Sequence, residues 1–428
     1  MPELVKLEWL AGGASGLPRR DSRGCKYEAY VPDCLAGRGI SLTGATAADV
    51  ADAERAVERL NREPRSLVDS EAVARLLLRA EAVASSKIEG LEVSGRRLLK
   101  AQVVAALGED PSDITATEVL NNIEAMRWAV DSVADVKQIT VDHLLGIHER
   151  LLTGTSLEQH AGKLREQQNW IGGSSYHFCS AAFVPPPWDR VRDLLEDLCE
   201  FCNAEELPAI AQAALGHAQF ETIHPFIDGN GRTGRALIHV ILRRRGLAPV
   251  VVPPVSLMLA TWSQDYVNGL TATRYRGDAS SQEAVDGLDY WIGLFAAATT
   301  RAVADAETYE QRVTEVQAVW REALGKVRAN SAVDVLVNTL PGAPVITVQS
   351  AAALIGRSDQ AVNEAIPRLV DAGVLTQTTI GRRNRAFEAV DLIDAFTDLE
   401  RQLASPDGDT LHSPPKRRVP QRRLEGAG

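Results

Sequence analysis

The sequence predicts a mainly α fold: a helical bundle with a β-hairpin flap, followed by a C-terminal winged helix-turn-helix. Three observations lead there. Apolar residues recur three and four apart through most of the first 300 residues, the period of an amphipathic helix. That period vanishes between residues 154 and 190, where GKLREQQNWIGGSSYHFCSAAFVPPPWDR is rich in glycine and aromatics and ends in Pro185, Pro186 and Pro187. Beyond residue 345, two short helical runs precede TQTTIGRRNRAFEAV, a two-stranded pattern turning at Gly381 and Arg382.

The chain has 428 residues, 45% of them apolar, which is enough to bury an ample core in about two or three domains. A formal net charge of −11 argues against a polyanion binder, so any nucleic-acid surface must be a local patch. The start, MPELVKLEWL, carries Glu3, Lys6 and Glu8 and does not read as a signal peptide. Longer apolar runs are cut by Pro249, Pro253 and Pro254 or are too short to cross a bilayer, so no membrane partner is expected. Five cysteines without an export signal imply a cytoplasmic chain with reduced thiols. Cys199 and Cys202 form a CxxC inside the helical run VRDLLEDLCEFC; with no second ligand pair they read as buried side chains.

Helical periodicity covers residues 47–61, 69–90, 117–133, 138–154, 191–204, 207–224 and 234–246, with Ser70 and Thr117 near helix starts. The irregular segment that follows residue 154 is long enough to be a lid or binding loop. Its alternating stretch could form a hairpin, whose edge would suit an extended partner. In the last region Thr347 precedes the helix VQSAAALIG and Ser358 precedes DQAVNEAIPRLVDAG; with the basic hairpin this makes a winged helix-turn-helix. The ending SPPKRRVPQRRLEGAG is proline-rich and basic and reads as disordered. The resulting division is 1–110, an N-terminal helical region; 111–300, a catalytic core; 301–344, a helical linker; 345–398, the winged helix; and 399–428, the tail.

The chemistry concentrates in HPFIDGNGRTGR, residues 224–235. Pro225 disfavours helical geometry at His224 and should end the helix before it. Asp228-Gly229-Asn230-Gly231 is turn chemistry, and the helix that follows presents unpaired N–H groups to the turn, an anion site. Arg232 and Arg235 lie three apart near that helix start, where its dipole disfavours cations unless a polyanion neutralises them. Asp228 is a hard-oxygen ligand suited to Mg²⁺, and His224 can accept a hydroxyl proton near neutral pH. GNGRTG also fits a dinucleotide fingerprint, but a helix precedes it and VVPPVS stands where an acid is needed, so that reading fails.

HPFIDGNGRTGR resembles the complete signature of the Fic family, whose members mostly transfer AMP from ATP to protein hydroxyls. SSKIEG (85–90) resembles the family's inhibitory helix motif, and NWIGG with FVPPP its target-docking flap; together the resemblance covers roughly residues 20 to 395. It implies a Fic-type bundle and an ATP- and Mg²⁺-dependent nucleotidyltransferase. His224 would be the general base and Asp228 the Mg²⁺ ligand. Asn230, the backbone of Gly229, Gly231, Thr233 and Gly234, and Arg232 would hold the α- and β-phosphates, and Arg235 would grip the γ-phosphate. Tyr266 would line the adenine and ribose pocket. Ser85, Glu89 and Gly90 would form the inhibitory motif, with Glu89 in a bidentate pair with Arg235. The implied partners are ATP and a target protein docked on residues 163–187. Two alternatives stay open. Glu89 could position water to remove AMP at the same site, or the winged helix could bind DNA through Arg382, Arg383 and Arg385. The oligomeric state, a homodimer included, is left open.

Overall fold

A computed structural model describes residues 1–9, 24–62, 70–106, 108, 111–173, 178–380 and 384–403. It is mainly helical, as expected. The chain opens differently from the expected helical region, with an antiparallel hairpin of β1 (Glu3–Trp9) and β2 (Cys25–Val31). The alternation in ELVKLEW and CKYEAYV accounts for it, since every second side chain turns inward. Then come α1 (Gly44–Arg62), α2 (Ser70–Ile88), α3 (Gly95–Ala106) and α4 (Ile114–Trp128). Asp113 caps α4 by accepting from Ala116 N, three residues ahead of the start that Thr117 suggested, and a π-turn at 129–133 ends it.

Next are α5 (Val141–Leu152) and α6 (Val191–Asn203), then α7 (Ala209–Ile223) and α8 (Asn230–Arg244), which pack on each other at the centre of the bundle. Every residue of α7 is buried, as is α8 from Asn230 to Leu242, so the motif between them is held on both sides by core. α9 (Val255–Thr261) and α10 (Ser263–Ala272) lead to α11 (Gln282–Leu324), which is continuous through 43 residues. The division drawn at 300/301 therefore falls inside one helix. Nothing breaks it there, because the apolar stripe Trp291, Ile292, Phe295, Ala298, Ala302, Val303 and Ala306 runs on unbroken against α1 and α7. Gly287 permits a close crossing, since a Cβ there would lie 2.1 Å from the Ala272 carbonyl oxygen.

The C-terminal part holds α12 (Ala332–Thr339), β3 (Val345–Ile346), α13 (Val348–Ile355), α14 (Asp359–Asp371), β4 (Thr376–Ile380), β5 (Asn384–Glu388) and α15 (Val390–Leu403). Thr347 and Ser358 are the N-caps of α13 and α14, and the strands pair in the order β3-β5-β4. Two capped helices and a three-stranded sheet thus stand where the winged helix-turn-helix was expected. Arg382, Arg383 and the tail beyond 403 lie outside the described residues; Arg385 is exposed on β5.

Cys25 and Cys179 are joined in a disulfide, with Cα atoms 5.8 Å apart, so the expectation of reduced thiols fails at this pair. The reason is the unforeseen hairpin, which brings β2 against the single turn at Phe178–Ser180. Tyr27 stacks on Phe178 with ring centroids 4.2 Å apart. Cys199 and Cys202 are free and buried, as read from the sequence. Among the described residues no helix is long and apolar enough to cross a membrane.

Trp291 ties α11 to the bundle. It is fully buried and donates to the Ala214 carbonyl at 2.7 Å, beside His217 and Tyr266. Trp291→Ala should lower unfolding free energy by about 3–5 kcal/mol in chemical denaturation. A loss under about 1 kcal/mol would mean that this contact does not hold the bundle together.

Candidate active site

α7 ends at His224, which takes a left-handed conformation (φ 49°, ψ 61°) and so points the chain back across the bundle. A non-glycine residue in that region is strained, and the surroundings must hold it there. The loop carbonyls show how. Arg165 donates from Nε to the His224 oxygen at 2.9 Å and from its backbone N–H to Pro225, while Asn169 reaches the Phe226 oxygen at 3.0 Å. His148 meets the Asp228 oxygen at 3.0 Å and stacks flat on Phe226. Asn230 closes the turn on itself: its side chain accepts from Phe226 N–H at 2.8 Å and donates to the Phe226 carbonyl at 2.9 Å. Its amide thus shapes the loop.

Gly229, at φ 78°, caps α8, which begins at Asn230, four residues earlier than its apolar period showed. Thr233 N–H bonds the Gly229 carbonyl, and the N–H groups of the first turn before it are left for an outside acceptor. Arg232 and Arg235 follow, both buried. Arg232 reaches Asp228 Oδ2 only at 3.4 Å, and its buried Nε and Nη1 find no partner among the described residues, nor does the Thr233 hydroxyl. A buried guanidinium with two unused donors beside a helix N-terminus is suited to an anion. Gly234 lets α8 lie close to α7, since a Cβ there would sit 2.9 Å from Glu221 and Phe220.

Arg235 is already occupied. Its Nε donates to Ser85 Oγ at 2.9 Å, and its Nη2 donates to the Ser85 carbonyl and to Glu89 Oε1, each at 2.8 Å. The expected bidentate pair is therefore a three-point clamp shared between a carboxylate, a hydroxyl and a carbonyl. Gly90, at φ 80°, ends α2 just beyond it. Gly231 makes the room: a Cβ there would stand 1.9 Å from Glu89 Oε1. Burial opposes ionisation of Glu89, but the Arg235 charge and hydrogen bond prevail and hold its carboxyl below the ordinary range.

Tyr266 is buried; its hydroxyl meets His217 Nε2 at 2.8 Å and Arg235 Nη1 at 3.5 Å. In this structure it stands behind the arginine. The flap is less regular than a hairpin. One bridge pairs Ile171 with Phe183, the Val184 carbonyl is taken by Tyr30 N–H at 3.0 Å, and Ser174 and Ser175 lie outside the described residues. The edge expected for a target is thus partly covered by β2. Arg274 lies over the Phe183 ring, 3.6 Å from its centroid.

Sequence reasoning missed Arg165, His148 and Asn169, which hold the strained loop from a distance. Their only signal was a run of polar residues in a glycine-rich segment and a histidine on an amphipathic helix. It also missed Glu221, three residues before His224, with Oε2 3.9 Å from the imidazole Nδ1; burial pushes its carboxyl up to about 7.

With this geometry in view, comparison with known proteins places it. Residues 138–242 match the Fic/DOC family and residues 47–131 the Fic/DOC family N-terminal region, so the chain carries a Fic/DOC domain with the family's N-terminal part. It is 35% identical over 141 residues to protein adenylyltransferase fic-1 of Caenorhabditis briggsae, covering 32% of this chain and 26% of that protein. It is 34% identical over 139 residues to protein adenylyltransferase Fic of Drosophila willistoni, with the same two shares. The chain thus spans about a quarter of the length of these relatives. A Fic family protein from Desulfovibrio desulfuricans is similar in structure, with 20% identity and a TM-score of 0.48 over 82% of this chain and 97% of that one.

Burial, then the Arg165 cation, disfavours the imidazolium of His224 and lowers its pKa to about 4, with Glu89 acting in the opposite sense. A depressed value means that the neutral, proton-accepting form prevails at every pH above about 4. In the ligand-free protein an NMR titration should find the His224 ring protonating near pH 4, and a polyanion in the site should move it upward. A ligand-free titration near the ordinary histidine value of about 6.5 would show that the ring is not desolvated as described.

Proposed function

We propose that this protein transfers AMP from ATP to a hydroxyl side chain of a target protein, and of itself, and that Glu89 restrains the reaction. The observation that carries the reading is the state of the two arginines. Arg232 is buried with unfilled donors at a helix N-terminus, and Arg235 has its donors engaged by a carboxylate from another helix. A triphosphate supplies the missing acceptors for the first and competes with Glu89 for the second. The matched relatives, named as protein adenylyltransferases, support the same chemistry.

The α-phosphate lies at the N-terminus of α8, under the free N–H groups and Arg232. The target hydroxyl gives its proton to the neutral His224 ring as its oxygen attacks the α-phosphorus. The new O–P bond forms as the bond to the β-phosphate oxygen breaks, and pyrophosphate leaves with the electron pair. Charge stabilisation by fixed donors and alignment of the three atoms do most of the work. The half-exposed carboxylate of Asp228 binds Gly229 N–H at 2.7 Å and keeps oxygen lone pairs free near the phosphates. That fits Mg²⁺, which takes one or two carboxylates together with substrate phosphates and would neutralise charge on the leaving group. Among the described residues no cluster of three or more metal-ligating side chains is present.

Glu89 in its observed place denies Arg235 to the γ-phosphate. ATP would bind with its α-phosphorus out of line, and a displacement of about 1 Å can cost a hundredfold in rate. Glu89→Gly should therefore raise AMP transfer, including self-modification, at least about tenfold by intact-mass spectrometry with labelled ATP. Adding Arg235→Ala should return it to a low level, because the freed arginine is the means of activation. A Glu89→Gly protein no more active than wild type toward itself and a whole-lysate pool would overturn the restraint.

A further inference from the structure

The contact between α2 and α8 does not end at Ser85 and Glu89. Glu81 and Ser85 lie four apart on α2, and Glu89, four further on, continues their line one residue past its end; Arg235 and His239, also four apart, form the facing stripe of α8. The helices cross antiparallel, so their polar rungs pair in order: Glu81 with His239, Ser85 with Arg235, Glu89 with Arg235. The innermost rung is of a different kind. Glu81 and His239 are both wholly buried; Glu81 Oε1 accepts from His239 Nε2 at 2.8 Å and Oε2 from Ser256 N–H at 2.7 Å. The Ser256 hydroxyl, in the first turn of α9, donates to Oε1 at 2.5 Å. The Glu89 side chain, by contrast, is 36% exposed.

We infer that Glu81, held by His239 and Ser256, is the fixed end of the restraining helix: it sets the register that delivers Glu89 to Arg235 and confines release to the last turn of α2. The inference rests on the restraint proposed above. Two physical points lead to it. A buried carboxylate that loses one partner is left uncompensated, so α2 cannot peel from α8 at Glu81 without a large penalty. Water reaches Glu89, so its carboxylate has solvent to turn to when it leaves Arg235, which Glu81 has not. Glu81 touches neither substrate nor the reacting atoms, so it acts as a positioning residue.

Hydrogen–deuterium exchange on the full chain reads this directly. In Glu89→Gly, amides 86–90 should exchange faster than in the wild type while amides 77–83 keep their protection. Loss of protection along the whole of α2 would overturn the inference, as would no change at 86–90. Glu81→Gln keeps the shape and exchanges one of the two accepting oxygens for an amide donor. It should raise AMP transfer about fivefold while Glu89 is present, the shift expected for weakening one charge-assisted hydrogen bond. In the Glu89→Gly background it should add nothing, because the register then positions no inhibitor. No rise, or an equal rise in both backgrounds, contradicts a positioning role. Were Glu89→Gly itself inactive, the restraint would fail instead, and the exchange pattern would still decide whether Glu81 is the fixed end.

Discussion

The site is organised by one guanidinium. Arg235 is almost fully buried, and a buried cation must find acceptors or be expelled. In this structure the acceptors come from α2, through Ser85 and Glu89. Everything around it is arranged to let that helix close in. Gly231 leaves space for the carboxylate, Tyr266 and His217 wall off the far side, and Trp291 supports both. Under the proposed function the same arginine is the one a triphosphate needs, so that one charged group serves both the resting protein and the reaction in mutually exclusive ways.

The loop beside it solves a different problem. His224 must face the site, and it does so from a left-handed backbone that an unsupported residue would leave. Arg165, Asn169, Asn230 and His148 take up the loop's carbonyls one after another. Arg165 is costly to bury, and burial lowers its pKa to about 10; its return is a firmly held loop with the His224 ring desolvated and neutral. Strain, burial and positive charge around His224 thus serve one end.

Much of this was legible in the sequence where local residues decide the structure. The stop at Pro225, the turn DGNG and the helix after it follow from backbone chemistry within a few positions, and so do the caps at Thr347 and Ser358. What was missed depends on partners far along the chain. Cys25 finds Cys179 across 154 residues because two weakly patterned strands form a hairpin. Glu81 looks like any polar residue on an amphipathic helix until His239 and Ser256 surround it. α8 starts early because Gly229 caps it, although Asn-Gly-Arg-Thr-Gly shows no apolar period. The contact of Tyr266 with Arg235, 31 residues away, likewise had no local signal.

The central claim is that Glu89 occupies the position of the γ-phosphate on Arg235. Calorimetric titration with ATP and with ADP, on wild type and on Glu89→Gly, tests it most directly, because the two nucleotides differ by that phosphate alone. Wild type should bind them with nearly equal affinity, since its γ-phosphate finds the arginine taken. Glu89→Gly should favour ATP by about tenfold or more, the worth of a charge-assisted hydrogen bond regained. The same ATP-to-ADP ratio in both proteins would contradict the account.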